Sequence, residues 1–281
     1  MHTHVSKRRV ILLLAGLLLI LTGCAGDADE RPVAVPAQPD LTPAPITAGA
    51  RLMPGTTWHW QLTSEIDLSL DVALYDIDLF DTPQYVIEEL HNAGRIVICY
   101  FSAGSWEDWR PDAGDFPEEV IGHALQGWPG EYWLDVRQLD LLGPVMAARL
   151  DLAVEQGCDG VEPDNVDGYT YDSGFPLTYD DQLAYNIWLA EEAHARGLLI
   201  LLKNDLEQVG DLLSFFDGAL NEQCFQYEEC ELLLPFIAAG KPVFGVEYEG
   251  ELQDFCPQAN AWNFTWLLKN WELDAWSQPC W

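Results

Sequence analysis

The stretch Gly157–Tyr169, GCDGVEPDNVDGY, sets a short strand between two turns and ends that strand in acid. It follows the amphipathic run Leu139–Gln156, whose apolar residues fall at helical spacing. That run stops at Gly157, the residue type suited to a left-handed helix cap. Residues 160–165 then read as a buried strand, broken by Asn165-Val166-Asp167-Gly168. Four carboxylates fall within these thirteen residues. Glu162 and Asp164 are two apart, so in an extended chain they point to one face. Like charges held close repel, and a strand that ends in paired acids reads as a site rather than as core.

Outward from this segment the same rhythm repeats. Strands are predicted over 58–62, 72–79, 96–102, 160–165, 198–205, 219–223, 243–248 and 265–270. Helices are predicted over 83–93, 139–156, 178–195, 207–216 and 231–239, several closing at a glycine (Gly94, Gly157, Gly197, Gly240). Short buried strands alternating with helices argue a parallel sheet, and eight of them fit an α/β fold of the (β/α)8 TIM-barrel type. A doubly wound open sheet is the alternative, but its Gly-rich dinucleotide turn is missing. One excursion, residues 103–137, breaks the pattern with Trp106, Trp109, Trp128 and Trp133. It reads either as a set of stacking platforms for sugar rings or as a satellite core under a long loop.

The chain begins with Lys7, Arg8 and Arg9, then the apolar run Val10–Leu21, too short to span a bilayer comfortably. Leu21-Thr22-Gly23-Cys24 follows in the pattern of a bacterial lipobox, with Cys24 the expected lipidated residue. Residues 1–23 are thus expected to be a signal peptide, residues 24–53 a lipidated Cys and Pro/Ala-rich tether, and residues 54–281 the folded domain. Seven cysteines occur, and setting Cys24 aside leaves an even number, consistent with disulfides outside the cytoplasm. Cys224 with Cys230 and Cys256 with Cys280 are candidate bridges; Cys99 and Cys158 read equally as a bridge or as two buried thiols. There are 46 acidic and 13 basic residues, a net charge of −33, and removal of the three leader bases leaves 46 against 10, or −36. Such a surface repels nucleic acid and anionic lipid and attracts cations, whether its purpose is solubility or substrate capture.

The predicted strands start apolar and end polar: Asp76 and Asp78, Glu162 and Asp164, Lys203-Asn204-Asp205, Glu222, then Glu247 and Tyr248. In a barrel these ends converge on the face where active sites lie. No GxSxG, HExxH or CxxC is present, so serine-hydrolase and zinc chemistry lack support and no metal is expected. A calcium-loop reading of DNVDG would put Pro163 at its first ligand position, and fails. Carboxylate chemistry remains, and glycoside hydrolysis is the reaction that needs two acids flanking one bond.

The segments YDIDLFDT (75–82), GRIVICYFSAG (94–104), GWPGEYWLDVR (127–137), GCDGVEPDNVDGY, LLKND (201–205), NEQCFQYEEC (221–230) and VEYEG (246–250) resemble glycoside hydrolase family 114, the endo-α-1,4-polygalactosaminidases. The resemblance covers about residues 54–281. It implies a TIM barrel, endo-cleavage of α-1,4-linked galactosamine or N-acetylgalactosamine polymers, and no cofactor. By that resemblance Asp164 is the nucleophile and Glu222 the general acid, then base, of a retaining mechanism; the residues themselves leave Glu162 as the rival of Asp164. Asp76, Asp78 and Glu247 are expected to line the cleft. Tyr100, Asp135, Glu162 and Asn165, with Lys203, Asn204 and Tyr248, complete the candidate substrate-binding set. Lys203 is expected to pair with Asp164, Glu162 or Asp205 and so keep one acid ionised. The partner implied is a cationic, partly deacetylated galactosamine-containing polysaccharide, reached from a membrane by the lipid on Cys24. The alternatives are a non-catalytic surface lectin and a hydrolase of another amino-sugar polymer. Oligomeric state has no signal in the sequence.

Overall fold

The computed structural model describes residues 52–281. The leader, Cys24 and nearly all of the tether lie outside the described residues. All eight predicted strands form, as β1 (Trp58–Gln61), β2 (Leu74–Asp78), β3 (Ile96–Ser102), β7 (Gly160–Asp164), β8 (Leu199–Lys203), β9 (Gly218–Glu222), β10 (Val243–Glu247) and β11 (Thr265–Lys269). They pair in parallel in that order around a nearly closed barrel. A last strand, β12 (Ser277–Pro279), pairs antiparallel with β11. It occupies the edge that would otherwise ladder with β1, and the seam is closed by other means. Trp58 Nε1 donates to the Thr265 carbonyl at 3.0 Å, and the Leu62 amide donates to the Leu273 carbonyl at 2.9 Å.

Strand alternation divides the buried side chains into two sets. Trp58, Trp60, Leu74, Ile98, Leu199, Leu201, Leu220, Phe244, Val246 and Leu267 fill the barrel interior. The intervening positions, among them Val97, Phe101, Val161, Ile200 and Leu202, face the helices. Those helices are α1 (Gln84–Asn92), α2 (Leu139–Gln156), α3 (Tyr179–Ala195), the short α4 (Val209–Leu212) and α5 (Leu234–Ala238), and α6 (Leu252–Ala261). Two N-termini are fixed by reciprocal capping boxes, Thr178 with Asp181 on α3 and Glu251 with Asp254 on α6. The glycines expected to close helices do so with positive φ, 94° at Gly157. Helix α6 was not legible as an element; Pro257 and the polar residues around it obscure its apolar stripe of Leu252, Phe255 and Ala259.

The excursion folds as a small antiparallel sheet of β4 (Ser105–Glu107), β5 (Ile121–Ala124) and β6 (Glu131–Leu134) in the order β4-β6-β5. It is anchored by Arg149 of α2, whose guanidinium grips Asp112 at 2.7 and 2.9 Å.

Three disulfides staple the domain, as befits a protein that folds outside the reducing cytoplasm. Cys99–Cys158 ties β3 to the turn before β7, which resolves the alternative left open by the sequence; Cys224–Cys230 and Cys256–Cys280 close the loop after β9 and the C-terminus. Their sequence separations of 59, 6 and 24 residues set the loop entropy that each removes from the unfolded chain. Paired Cys→Ala variants should therefore lose stability in the order Cys99/Cys158, Cys256/Cys280, Cys224/Cys230, by about 4, 3 and 2 kcal/mol. Urea unfolding of the three double variants measures the order, and a largest loss at Cys224/Cys230 contradicts this account.

Candidate active site

Three neighbouring strands each deliver one ionic group to the same point. The last residue of β7 is Asp164, of β8 Lys203 and of β9 Glu222. All three have the parity of the interior leucines beneath them, so they cap the apolar barrel core rather than face the helices. Each strand then turns sharply. Asn165, Asn204, Asp205 and Gln223 all have positive φ, from 43° to 66°, a conformation that costs non-glycine residues about 1–2 kcal/mol. Strain of this kind collects at functional sites. At Asn165 it has a local cause: a Cβ on Gly104 would lie 1.7 Å from the Asn165 carbonyl oxygen, so the β3 loop and the turn after Asp164 interlock backbone to backbone.

Lys203 is buried to 1% exposure, with its ammonium 3.0 Å from Glu162 Oε1, 3.0 Å from Asp164 Oδ1 and 3.2 Å from Glu222 Oε2. The Trp60 ring lies beneath it, centroid at 4.8 Å. Burial by itself would push the ammonium's pKa down. The charges of Asp164, Glu162 and Glu222 outweigh that penalty and hold it well above its ordinary value. Around Glu222 the contacts converge further. Tyr248 Oη donates to Glu222 Oε1, and Asn204 Oδ1 accepts the Glu222 amide at 2.9 Å. Trp271 stacks on Tyr248 with centroids 3.9 Å apart. Asn165 Nδ2 donates to Ser102 Oγ and Ser105 Oγ at 3.0 and 3.1 Å, and Ser105 in turn donates to Glu131 at 2.9 Å.

A cleft of about 1530 Å3 opens over these groups. Of the sequence-predicted residues, Asp78, Tyr100, Asp164, Asn165, Lys203, Asn204, Glu222 and Tyr248 line it. Four others do not. Asp76 and Glu162 are fully buried below the floor. Glu247 has the opposite parity from Phe244 and Val246; it faces the helix layer, where it accepts the Phe225 amide and Trp266 Nε1. Asp135 is held by Arg137 at 2.7 and 2.8 Å just before α2. Asp205 turns away from Lys203 to accept from Tyr169 and Asn186. Asp78 reaches the cleft in a bidentate pair with Arg110, at 2.9 and 2.7 Å, and Arg110 also holds Glu107. Both readings of the tryptophan loop hold in part. Trp109, Trp128 and Trp133 line the cleft, whereas Trp106 packs against the core and donates to the Ala113 carbonyl.

Sequence reasoning missed Arg110 and Glu131, whose positions depend on the irregular path of the excursion. Burial pushes Glu131 up to about 7 against the hydrogen bond from Ser105, with Glu107 and Asp164 adding to the rise. Burial and the Asp164 charge raise Asp167, which also lines the cleft, to about 7.

The sequence profile of glycoside-hydrolase family GH114 matches residues 40–281. The chain belongs to family GH114. It is 41% identical to Ega3 of Aspergillus fumigatus, whose crystal structure is a complex with galactosamine; the match has a TM-score of 0.79 and covers 83% of this chain and 98% of that one. The glycoside hydrolase domain of PelA from Pseudomonas aeruginosa shares the fold at 12% identity, with a TM-score of 0.64 over 79% of this chain and 98% of that one. An uncharacterized protein of Deinococcus radiodurans is 29% identical over 276 residues, 83% of this chain and 87% of its own length. This GH114 member is therefore an O-glycosyl hydrolase with a carbohydrate substrate.

The raised carboxyls give the GH114 domain a pH-dependent stability. A carboxyl with a folded pKa above its unfolded one contributes in full below the unfolded value, near 4, and loses that contribution as pH rises through the folded value. For Glu131 the loss runs from about 4.5 to about 7. Thermal unfolding of Glu131→Gln should thus match wild type near pH 4 and exceed it near pH 8. An equal offset at both pH values contradicts the assignment.

Proposed function

We propose that this hydrolase cleaves α-1,4-linked galactosamine or N-acetylgalactosamine polymers internally, with Asp164 as nucleophile and Glu222 as acid and base of a retaining mechanism. The observation that carries the reading is the shared ammonium of Lys203. Asp164 Oδ1 and Glu222 Oε2 lie 3.0 and 3.2 Å from one nitrogen, so these two oxygens are at most about 6.2 Å apart. Inverting enzymes hold their carboxyl groups ~6.5–9.5 Å apart to admit a water, whereas retaining pairs stand at ~5–5.5 Å. The spacing supports retention. Both groups line the cleft, and Glu162, the rival of Asp164, is sealed below it.

In the first step an Asp164 oxygen attacks the anomeric carbon as the glycosidic bond breaks, and Glu222 gives its proton to the departing oxygen. In the second, Glu222 as carboxylate takes a proton from water, whose oxygen attacks the same carbon and releases Asp164. Lys203, 3.0 Å from Asp164 Oδ1, steadies the Asp164 carboxylate that attacks in the first step and leaves in the second. Tyr248 orients Glu222 through Oε1, leaving Oε2 toward Lys203. Exposed Trp109 and Trp128 on one side and Trp271 on the other supply apolar faces for sugar rings on both sides of the scissile bond, as an endo-acting cleft requires. The galactosamine in the Ega3 complex and the acidity of this chain support an amino-sugar polymer. The Cys24 lipid would hold the enzyme at the outer face of a membrane.

Purified wild type should release oligomers from partly deacetylated galactosaminogalactan, with the first-formed reducing ends retaining the α configuration by NMR. Asp164→Asn and Glu222→Gln should each lower release by at least ~10³-fold. Wild type that releases nothing refutes the substrate, and two fully active variants refute the residues. Affinity for the deacetylated polymer should fall steeply with added salt while affinity for the acetylated form holds. Equal salt sensitivity of the two leaves solubility as the purpose of the charge.

A further inference from the structure

Asp76 points into the barrel from β2, two residues before Asp78, and Glu162 points into it from β7. Both are at 0% exposure. Strand β3 lies between the two, with Asp76 opposite Ile98 and Glu162 opposite Tyr100. Along the ladders Glu162 stands two positions above Asp76, the offset by which residues of alternate strands enter one four-membered interior layer of such a barrel, so the two carboxyls are neighbours in that layer. Among the described residues, neither oxygen of Asp76 has a donor, and Glu162 has only the Lys203 ammonium, 3.0 Å from Oε1. With both groups ionised, Asp76 would be a buried charge without a donor from the described residues, facing a second anion. Burial penalises that arrangement heavily. One proton between the carboxyls removes a charge and supplies the missing donor.

We propose that Asp76 and Glu162 hold a single proton, carried by Asp76, and that the Glu162 charge so preserved makes the pair positioning residues that set how strongly Lys203 acts on Asp164 and Glu222. Burial and the neighbouring Glu162 charge push Asp76 well above the carboxylate range. Burial also raises Glu162, to about 8, while the charge and hydrogen bond of Lys203 act against that rise and favour the ionised form of Glu162. The other groups facing the pair are few. Lys203 comes from β8; Asp164 and, after the strand end, Asp167 from β7; Glu222 from β9; and Tyr100 from β3, its phenol kept neutral by burial. On β2, Asp78 is neutralised by Arg110. Strand β1 offers the Trp60 ring, and β10 offers only apolar interior side chains.

The consequence for catalysis rests on the roles given to Asp164 and Glu222 above; the proton itself does not. A nucleophile and a proton donor place opposite demands on one ammonium, because Lys203 favours the charged form of both. With Glu162 ionised beneath it, Lys203 is already half spent. It can keep one further carboxylate charged while the other retains its proton. Without the Glu162 charge, Lys203 would favour ionisation of both site carboxyls, and the proton donor would be lost at lower pH.

Two measurements test this. Protein made with carboxyl-13C aspartate should show, at about pH 9, one aspartic acid still protonated. Asp167 and Asp205, raised only to about 7 and about 8, have ionised by then. That resonance should vanish in Asp76→Asn. Ionisation of every aspartate at this pH in unsubstituted protein overturns the shared proton, and needs no variant to fold. In kinetics, the bell-shaped profile of kcat/KM should slide to lower pH by on the order of one unit in Glu162→Gln. It should stay within a few tenths of a unit of wild type in Asp76→Asn, whose amide replaces a neutral acid. An equal slide in both variants, or none in either, overturns the link to Lys203. If galactosamine polymers prove not to be substrates, the proposed function falls while the resonance still decides the proton.

Discussion

A lysine ammonium taken out of water loses several kcal/mol of solvation, and Lys203 is exposed to only 1%. It survives there because β7, β8 and β9 pair in one register, so Glu162, Asp164 and Glu222 arrive around it from both neighbouring strands. The dependence runs both ways. Three carboxylates at one end of the barrel could not stay together without a cation among them, and removal of either side would leave the other as uncompensated buried charge. The geometry of the catalytic face is therefore a property of sheet register. A slip of one residue in β8 would turn Lys203 toward the helices and scatter the acids.

The fold serves that register at several levels. Apolar residues fill the lower interior of the barrel and yield to ionic ones only at the top, so the site stands on a rigid, dry floor. Cys99–Cys158 binds β3 to the turn that launches β7. Gly104 lets the β3 loop press on Asn165, and the amides of Ala103 and Gly104 both donate to the Asp164 carbonyl, at 2.9 and 3.0 Å. The backbone of Asp164 is thereby held from β3 while its side chain is held from β8. On the far side, the turn that closes the seam between β1 and β11 carries Trp271, which braces Tyr248, which in turn braces Glu222. Closure of the barrel and orientation of Glu222 are one structural event.

What could be read in the sequence was what depends on local periodicity. Alternation placed eight strands, and glycine placed the helix ends. The same parity argument, carried one step further, puts Glu247 outside the barrel, because Phe244 and Val246 must face inward. Depth was not legible. Asp76 and Asp78 have the same parity, yet one is sealed beneath the floor and the other meets Arg110 at the cleft, because barrel tilt and shear fix the height of each residue. Arg110 and Glu131 come from the excursion, where no periodicity reveals the path. Cys99 and Cys158 could not be paired from spacing, since the bridge depends on how β3 and β7 align.

The distribution of the few cations bears on the meaning of the charge. Among the described residues there are eight Lys and Arg, and four of them, Arg110, Arg149, Lys203 and Lys269, are buried. Three of those four serve as internal partners to acids. The four that are not buried, Arg95, Arg137, Arg196 and Lys241, are far outnumbered by the acids around them, so the surface of the domain is strongly anionic. Solubility alone would be served by acids with bases interspersed among them. Here bases are scarce on the exterior, so a cationic polymer would be drawn in by the outer field and would meet, at the bond to be broken, a cluster whose charge Lys203 already neutralises in part. Long-range attraction and local chemistry would then make no conflicting demands on the same acids: those on the surface would gather a cationic polymer, and those around Lys203 would remain free to exchange protons with it.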